Sequence, residues 1–210
     1  MKSPSYRALL LVCLLCGCGS ESSATHENPT EAVTVTFEGV VDAFSDPLQL
    51  LDGSVRKGTS IRGKYRMNSR AMADATQPNQ TSYFDAIGPG DFELAVGNYT
   101  FGSTNESRVQ VIMGDGIPRG DDVYDIWQIW VPSPRVSGPE IDAEVSAFLA
   151  LADPTATALS SGRLIALPDL VRFESARVGV SRESNLFIAG KVLRLEALDH
   201  VGQTAGEPNR

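Results

Sequence analysis

The chain has 210 residues, 42% of them hydrophobic, and a formal net charge of −8. This length suits one domain with a proper core, and the acidic balance makes nucleic acid and anionic lipid headgroups unfavourable partners because like charges repel. Only two histidines are present, His26 and His200, and both lie outside the segments with a folded pattern, which disfavours a Ser-His-Asp hydrolase or a histidine metal site.

The chain begins with a short basic stretch followed by an apolar run. Lys2 and Arg7 precede residues 9–18, which read Leu-Leu-Leu-Val-Cys-Leu-Leu-Cys-Gly-Cys. This order is typical of a secretory signal, and the run is too short for a spanning helix. Residues 15–18, Leu-Cys-Gly-Cys, resemble the lipobox of bacterial lipoproteins, in which the final cysteine receives a diacylglycerol and becomes the new N-terminus. The resemblance implies a signal peptide over residues 1–17 and lipidation at Cys18.

The polar residues that follow are typical of a flexible tether, which we assign to residues 18–31. Gly19 follows the cysteine where an inner-membrane retention signal typically has Asp. By resemblance to Gram-negative lipoproteins, this favours anchorage in the cell outer membrane, with the domain facing the periplasm or the cell surface. All three cysteines precede residue 19, so we expect no disulfide in the exported part. Cleavage before Cys18 would remove two basic residues and no acidic one, taking the net charge from −8 to −10.

Period-two alternation of apolar and polar residues then predicts a series of strands. The first two are expected over residues 33–38 and 61–67, and a long surface loop over residues 68–81. A tight hairpin is predicted around Gly97-Asn98, because a two-residue link of this type between alternating apolar residues favours one.

The second half of the chain continues the pattern. Residues 122–131 are apolar on both faces and predict a central strand. Further strands are predicted near residues 109–113, 145–151, 171–180 and 185–198, with one helical turn within residues 159–170.

About eight or nine short strands without a long helical period are typical of a sandwich or a barrel. We predict one all-β domain over residues 32–198, an antiparallel β-sandwich of jelly-roll-like form. A polar tail over residues 199–210 is expected to fray.

The order of motifs resembles that of a β-rich exported domain found in many bacterial proteins with C-terminal PEP-CTERM sorting tags. Its "V-x-x-G-x-x-x-x-G-x-Y" strand is similar to residues 55–65, and the other shared positions are Tyr83, residues 97–101, residues 149–153, residues 159–161, Leu167, Pro168, Phe173, Gly190, Val192 and Leu195. The resemblance implies an exported β-rich fold and no established activity. This chain lacks the Pro-Glu-Pro motif after Leu198, and a lipid anchor at the front would take the place of the sorting tag.

The stretch Glu140-Ile-Asp142-Ala-Glu144 suggests one enzymatic alternative. On a strand its three carboxylates would share one face at about 6–7 Å spacing. It is similar to the Glu-x-Asp-x-Glu signature of laminarinase-type glycoside hydrolases, which implies Glu140 as nucleophile, Asp142 as its electrostatic partner and Glu144 as acid/base. Three prolines and a glycine in residues 132–139 disfavour a regular strand, and a solvated acidic surface is the simpler interpretation.

Two weaker candidates remain. Asp115, Asp121 and Asp122 lie in an oxygen-rich segment of the kind that can hold calcium, although Asp and Gly are also ordinary turn residues. Trp127 and Trp130 differ by three positions, so on a strand they point to opposite faces. An exposed one would suit a ligand or partner surface, whereas the more common outcome is that both are core residues.

These observations favour a lipid-anchored, non-catalytic binding or structural module of the envelope, with an unknown ligand. The alternative is a small glycoside hydrolase or carbohydrate-binding domain that uses Glu140, Asp142 and Glu144. No complete phosphate-binding or dinucleotide-binding glycine motif is recognised, so we expect no cofactor. The expected partners are the membrane, through the lipid, and a glycan or an envelope protein, but not nucleic acid.

Overall fold

The computed structural model describes residues 32–120, 122–141, 144–182 and 185–198. Within them the chain is all-β, with 12 strands and a single three-residue 3-10 turn, Leu170–Arg172. The strands are β1 Ala32–Ser45, β2 Ser60–Asn68, β3 Ala75–Gln77, β4 Gln80–Tyr83, β5 Phe92–Val96, β6 Tyr99–Gly102, β7 Gln110–Arg119, β8 Asp122–Pro132, β9 Arg135–Ser137, β10 Ser146–Asp153, β11 Ser175–Arg182 and β12 Leu186–Ala197. No helix in this part of the chain is long and apolar enough to cross a membrane.

The strands form one antiparallel sheet. Its order is β3-β4-β7-β8-β10-β11-β12-β1-β2-β5-β6-β9. The all-β antiparallel prediction is confirmed, whereas a two-sheet sandwich of eight or nine strands is not, because every strand is hydrogen-bonded into the same sheet. The expected loop over residues 68–81 contains the short strand β3 and the first two residues of β4.

The sheet curls strongly on itself into a half-barrel. Seven strands separate β8 from β9 in the sheet order, a distance of about 38 Å if the sheet were flat. Only two residues, Ser133 and Pro134, join these strands along the chain, and that link spans about 11 Å at most. The sheet therefore bends until β9 comes close to the end of β8.

The concave side of the sheet holds the core. Tyr65 of β2 and Trp127 of β8 approach each other across it with ring centroids 5.8 Å apart, although four strands of the sheet lie between them. Both side chains are fully buried. The opposite flanks of the curled sheet therefore pack together.

The segment between β10 and β11, residues 154–174, covers part of this core, and we call it the strap. Three aromatic side chains of the sheet hold it by hydrogen bonds to its carbonyl oxygens. Trp127 donates to Ile165 over 2.8 Å, Tyr65 to Ala166 over 2.7 Å and Tyr83 to Gly162 over 2.9 Å. Burial raises the pKa of Tyr65, so its hydroxyl stays protonated as a donor.

Two buried aspartates fix the start of the strap. Asp125 of β8 and Asp153 of β10 are directly opposite each other in the sheet. Asp125 accepts hydrogen bonds from the backbone N–H groups of Gly116 and Leu159 over 2.9 and 2.6 Å. Asp153 accepts from backbone and hydroxyl groups within residues 155–158. Each buried carboxylate is thus satisfied by its own set of donors.

The convex side of the sheet has two different halves. On β2, the outward side chains of Arg62, Lys64 and Arg66 form ion pairs of 3.8–3.9 Å with acidic residues of β1, of β5 and of the residue before β5. On β7, β8 and β10, a row of neighbouring outward side chains is half-buried and uncharged. These are Ile112, Gln128, Trp130 and Phe148. The half of the convex side around β2 is therefore covered by charged side chains, and the half around β8 is mostly apolar.

Candidate functional site

A groove lies where the uncharged half of the convex side reaches the end of the sheet. It is formed at the C-terminal ends of β8 and β11 and at the N-terminal end of β10, and has a volume of about 460 Å³. This is within the range of about 300–1,000 Å³ typical of small-molecule sites. The groove is lined by Trp130, Ser133, Glu144, Val145, Ser146, Ser181 and Arg182.

Trp130 reaches this groove because β8 alternates strictly. Trp127, Ile129 and Val131 are fully buried on the concave side, so Trp130 points to the convex side and is half-buried there. The prediction that the two tryptophans occupy opposite faces is confirmed.

The ring of Trp130 is held by its neighbour across the strand pair. Phe148 of β10 pairs with Trp130 in the register, and the two rings are nearly parallel, with an interplanar angle of 16° and centroids 6.4 Å apart. An aromatic ring packed in this way is already ordered before a ligand arrives, which lowers the entropic cost of binding. Trp130 and Phe148 thus provide a fixed aromatic surface beside the groove.

Polar side chains line the rest of the groove. Ser146 and Ser181 are opposite each other on β10 and β11. Arg182 directly follows Ser181, and the exposed Glu144 lies two residues before Ser146. None of these four side chains makes a hydrogen bond or ion pair to another residue in the described part of the chain. A carboxylate, a guanidinium and two hydroxyls are therefore available to form hydrogen bonds with a ligand.

A strained turn closes one side of the groove. Ser133 has a φ of 45°, a left-handed conformation that is uncommon for a residue other than glycine. The hydroxyl of Ser107 donates to its carbonyl oxygen over 3.1 Å. This contact ties the β8–β9 link to the loop that precedes β7.

Two of the three carboxylates of the enzymatic alternative, Glu140 and Glu144, lack the strand arrangement that this alternative requires. Glu140 and Glu144 lie in the irregular segment between β9 and β10, not on a strand, and both are exposed. Asp142 lies outside the described residues. Gly138, with a φ of 123°, and the neighbouring prolines explain the outcome, because they interrupt the extended pairing that a strand needs. The strand face that the enzymatic alternative requires is therefore not formed by Glu140 and Glu144, which are exposed as the simpler interpretation expected, and Glu144 reaches the groove beside Trp130.

The oxygen-rich segment considered for calcium forms the β7–β8 hairpin. Asp122 pairs with Arg119, so Asp122 and Asp115 are separated by about 13 Å along the ladder. Asp121 lies outside the described residues. Among the residues that the structure describes, no group of three His, Cys, Asp or Glu side chains is close enough to hold a metal ion.

Residues 58–64 have the Gly-x-x-x-x-Gly-Lys spacing of a phosphate-binding loop, although Tyr65 follows instead of Ser or Thr. Gly58 belongs to the turn before β2 and residues 60–64 lie in β2 itself, whereas a phosphate-binding loop leads into a helix. The spacing therefore has no phosphate-binding geometry here. The lipidation residue Cys18, the signal peptide, the tether and the polar tail lie outside the described residues.

The sequence indicated Trp130 and Glu144 as separate candidates, but it did not indicate that they lie in the same groove. It missed Phe148, Ser146, Ser181 and Arg182. Ser146 and Ser181 left a weak signal, since each is a small polar residue near the end of a strand. Their proximity depends on the order of β8, β10 and β11 in the sheet, which no local pattern reveals.

Comparisons of this chain with protein-family models, with curated proteins and with solved structures find no match. The likenesses to lipoprotein signals and to the PEP-CTERM-associated domain therefore stay predictions from the sequence.

Proposed function

We propose that this protein is a lipid-anchored, non-catalytic binding module of the cell envelope, held in the outer membrane through Cys18. The observation that carries the binding role is the groove at Trp130, which combines a fixed aromatic surface with four polar side chains that have no partner in the described residues. A side chain as large as Trp on an outward sheet face is a typical recognition feature.

The direction of the chain supports this proposal. β1 begins at Ala32, at the end of the sheet where β8 and β11 also begin, whereas the groove lies where β8 and β11 finish. A lipid on Cys18 would therefore join the domain at the end opposite the groove. The groove would remain open to the surrounding compartment.

A carbohydrate-binding role is the second candidate, and the position of Glu144 beside Trp130 favours it. The glycoside-hydrolase form of this alternative has less support, since a retaining mechanism needs two carboxyl groups about 5–5.5 Å apart that are held on rigid elements. Glu140 and Glu144 belong to an irregular exposed segment. The flanks of the curled sheet face each other much as the layers of a sandwich do, which supports a sandwich-like binding scaffold.

The anchor is tested by metabolic labelling with a fatty acid. We expect Cys18→Ala to abolish the label and Cys16→Ala, the matched control in the same leader, to keep it. Label that persists in Cys18→Ala would contradict the anchor.

The binding role is tested by a diazirine amino acid at position 146, activated in intact cells. We expect an adduct with envelope material that disappears when Trp130→Ala is added, and no adduct from a diazirine at position 124. Tyr124 is a suitable control because it lies on the same strand and face as Trp130, about 20 Å away. Absence of an adduct at position 146, or one that Trp130→Ala leaves unchanged, would contradict binding at this groove.

A further inference from the structure

We infer that the ligand of the Trp130 groove is a neutral oligosaccharide of β-linked, gluco-configured sugars; this inference rests on the proposed binding function. In such sugars the hydroxyl groups are equatorial and the axial C–H bonds make both ring faces apolar. A binding site for them needs an aromatic face and, around it, groups that bond hydroxyls.

The aromatic requirement is met by Trp130. Its ring is half-buried and held nearly parallel to Phe148 at 6.4 Å, so a sugar can stack on an ordered surface. The groove beside the Trp130 ring has a volume of about 460 Å³, which suits a short sugar chain. Stacking of apolar ring faces on aromatic side chains gains both buried area and dispersion contact.

The polar requirement is met by the four side chains around the groove. The carboxylate of Glu144 accepts hydrogen bonds, the guanidinium of Arg182 donates them, and the hydroxyls of Ser146 and Ser181 do both. Sugar hydroxyls donate and accept, so they match this mixture. Bonds from a hydroxyl to an ionised group are also stronger than neutral ones.

The charges favour a neutral ligand. Glu144 and Arg182 bring opposite signs to the same groove, so an anionic ligand meets the carboxylate and a cationic ligand meets the guanidinium. The chain as a whole has a net charge of −8, which further disfavours phosphate-rich polymers. A neutral polymer meets neither penalty.

The first experiment is calorimetric titration of the full-length protein in detergent with cellotetraose, laminaritetraose and chitotetraose. We expect at least one of these to bind, and a galacto-configured tetrasaccharide, whose axial 4-hydroxyl disrupts the apolar face, to bind at least about tenfold more weakly. Trp130→Ala should lower the affinity at least about tenfold, and Glu144→Gln by about three- to tenfold.

Two matched controls accompany these variants. Tyr124→Ala removes an outward aromatic side chain from the other end of β8, and Glu174→Gln neutralises an exposed carboxylate at that same end. Both should leave the affinity within about twofold. Equal losses in the controls would overturn the assignment to the groove.

A spectroscopic measurement separates stacking from a structural effect. The chain has only two tryptophans, and Trp127 is fully buried. Sugar binding should therefore change the fluorescence of Trp130 alone. Trp130→Phe keeps an aromatic ring, so it should retain most of the affinity by calorimetry while losing the fluorescence response.

The outcomes distinguish this inference from the proposed function. If none of the tetrasaccharides binds, or if Trp130→Ala binds them as well as the unchanged protein does, the inference is overturned. If the diazirine at position 146 then captures a protein in a Trp130-dependent manner, the binding function stands with a different ligand. If neither a sugar nor an adduct is found, both proposals fall.

Discussion

Asp153 shows how one side chain organises a loop. Its carboxylate accepts from the backbone N–H groups of Thr155, Thr157 and Ala158 over 2.9–3.0 Å, and from both threonine hydroxyls. These bonds, first that from the Thr157 backbone, lower the pKa of Asp153 from 3.8 to about 2. The charged form is thus favoured in the folded protein and holds the first turn of the strap.

This pKa shift predicts how stability depends on acid. Because the folded pKa is below the ordinary value, the contribution of Asp153 is present above about pH 4 and is lost as the pH falls from about 4 to about 2. Asp153→Asn should lower the urea midpoint at pH 7 and flatten the loss of stability between pH 4 and pH 2. Urea unfolding followed by circular dichroism over this range measures both effects. An unchanged acid profile would show that the carboxylate is not the group responsible.

Gly63 is a second residue whose identity the fold requires. It pairs with Phe37 across β1 and β2, and a Cβ at this position would collide with the Phe37 ring and with the carbonyl oxygen of Glu93. Gly63→Ala should therefore cost about 1–3 kcal/mol of unfolding free energy. Gly102→Ala is the matched control, because its added Cβ meets nothing nearer than 3.6 Å, and it should change stability by less than about 1 kcal/mol. Equal effects in chemical denaturation would contradict the steric argument.

At the scale of elements, the strap is joined to the sheet by polar contacts as well as by apolar ones. Tyr83→Phe removes only the hydroxyl that donates to Gly162, and it should cost about 1 kcal/mol. Trp127→Phe also removes ring volume and should cost more. Hydrogen exchange should accelerate in residues 154–174 of Tyr83→Phe and remain slow in β10 and β11. Equal acceleration in strap and strands would mean that the strap does not open separately.

The elements themselves were largely predictable, because period-two alternation is a local property. It located β2, β8, β10 and the hairpin of β5 and β6, where Gly97 has the positive φ of 59° that the tight turn requires. It missed β3 and β4, whose polar residues have no alternation. The predicted helical turn within residues 159–170 was also misplaced, since the only 3-10 turn in the described residues is Leu170–Arg172 and the strap is held by donors from distant strands.

At the scale of the molecule, the curled single sheet was not predictable from local patterns. A sandwich and a curled sheet both alternate inward apolar and outward polar residues, so their strands look alike in sequence. The difference depends on which strands pair, and here β9 leaves β8 and pairs with β6 on the far edge. The order of β8, β10 and β11 in the sheet likewise explains why Trp130 and Glu144 were foreseen singly while their shared groove was not.

Under the proposed anchorage, the placement of the groove predicts how far Trp130 lies from the bilayer. Trp130 lies at the end of the sheet away from Ala32, and the strands of the sheet reach about 35 Å. We expect acrylamide to quench Trp130 equally in detergent and in liposomes, and brominated lipids not to quench it. The fluorescence of the Trp130→Phe variant gives the contribution of Trp127 alone, which is subtracted. Quenching by brominated lipids would mean that the groove faces the bilayer.

The two edges of the open sheet are short. β3, Ala75–Gln77, and β9, Arg135–Ser137, each offer three residues of backbone, and Pro78, Pro134 and Pro139 stand close beside them. Proteins confined to a membrane surface meet one another far more often than proteins in bulk solution, and a long free edge would then recruit neighbouring copies strand by strand. Each edge strand offers only three residues for pairing, and the adjacent prolines have no N–H to donate. We therefore expect these edges to resist strand pairing between neighbouring molecules. On the proposed lipid anchor, the domain would therefore tolerate a high surface density while the proposed binding groove stays available.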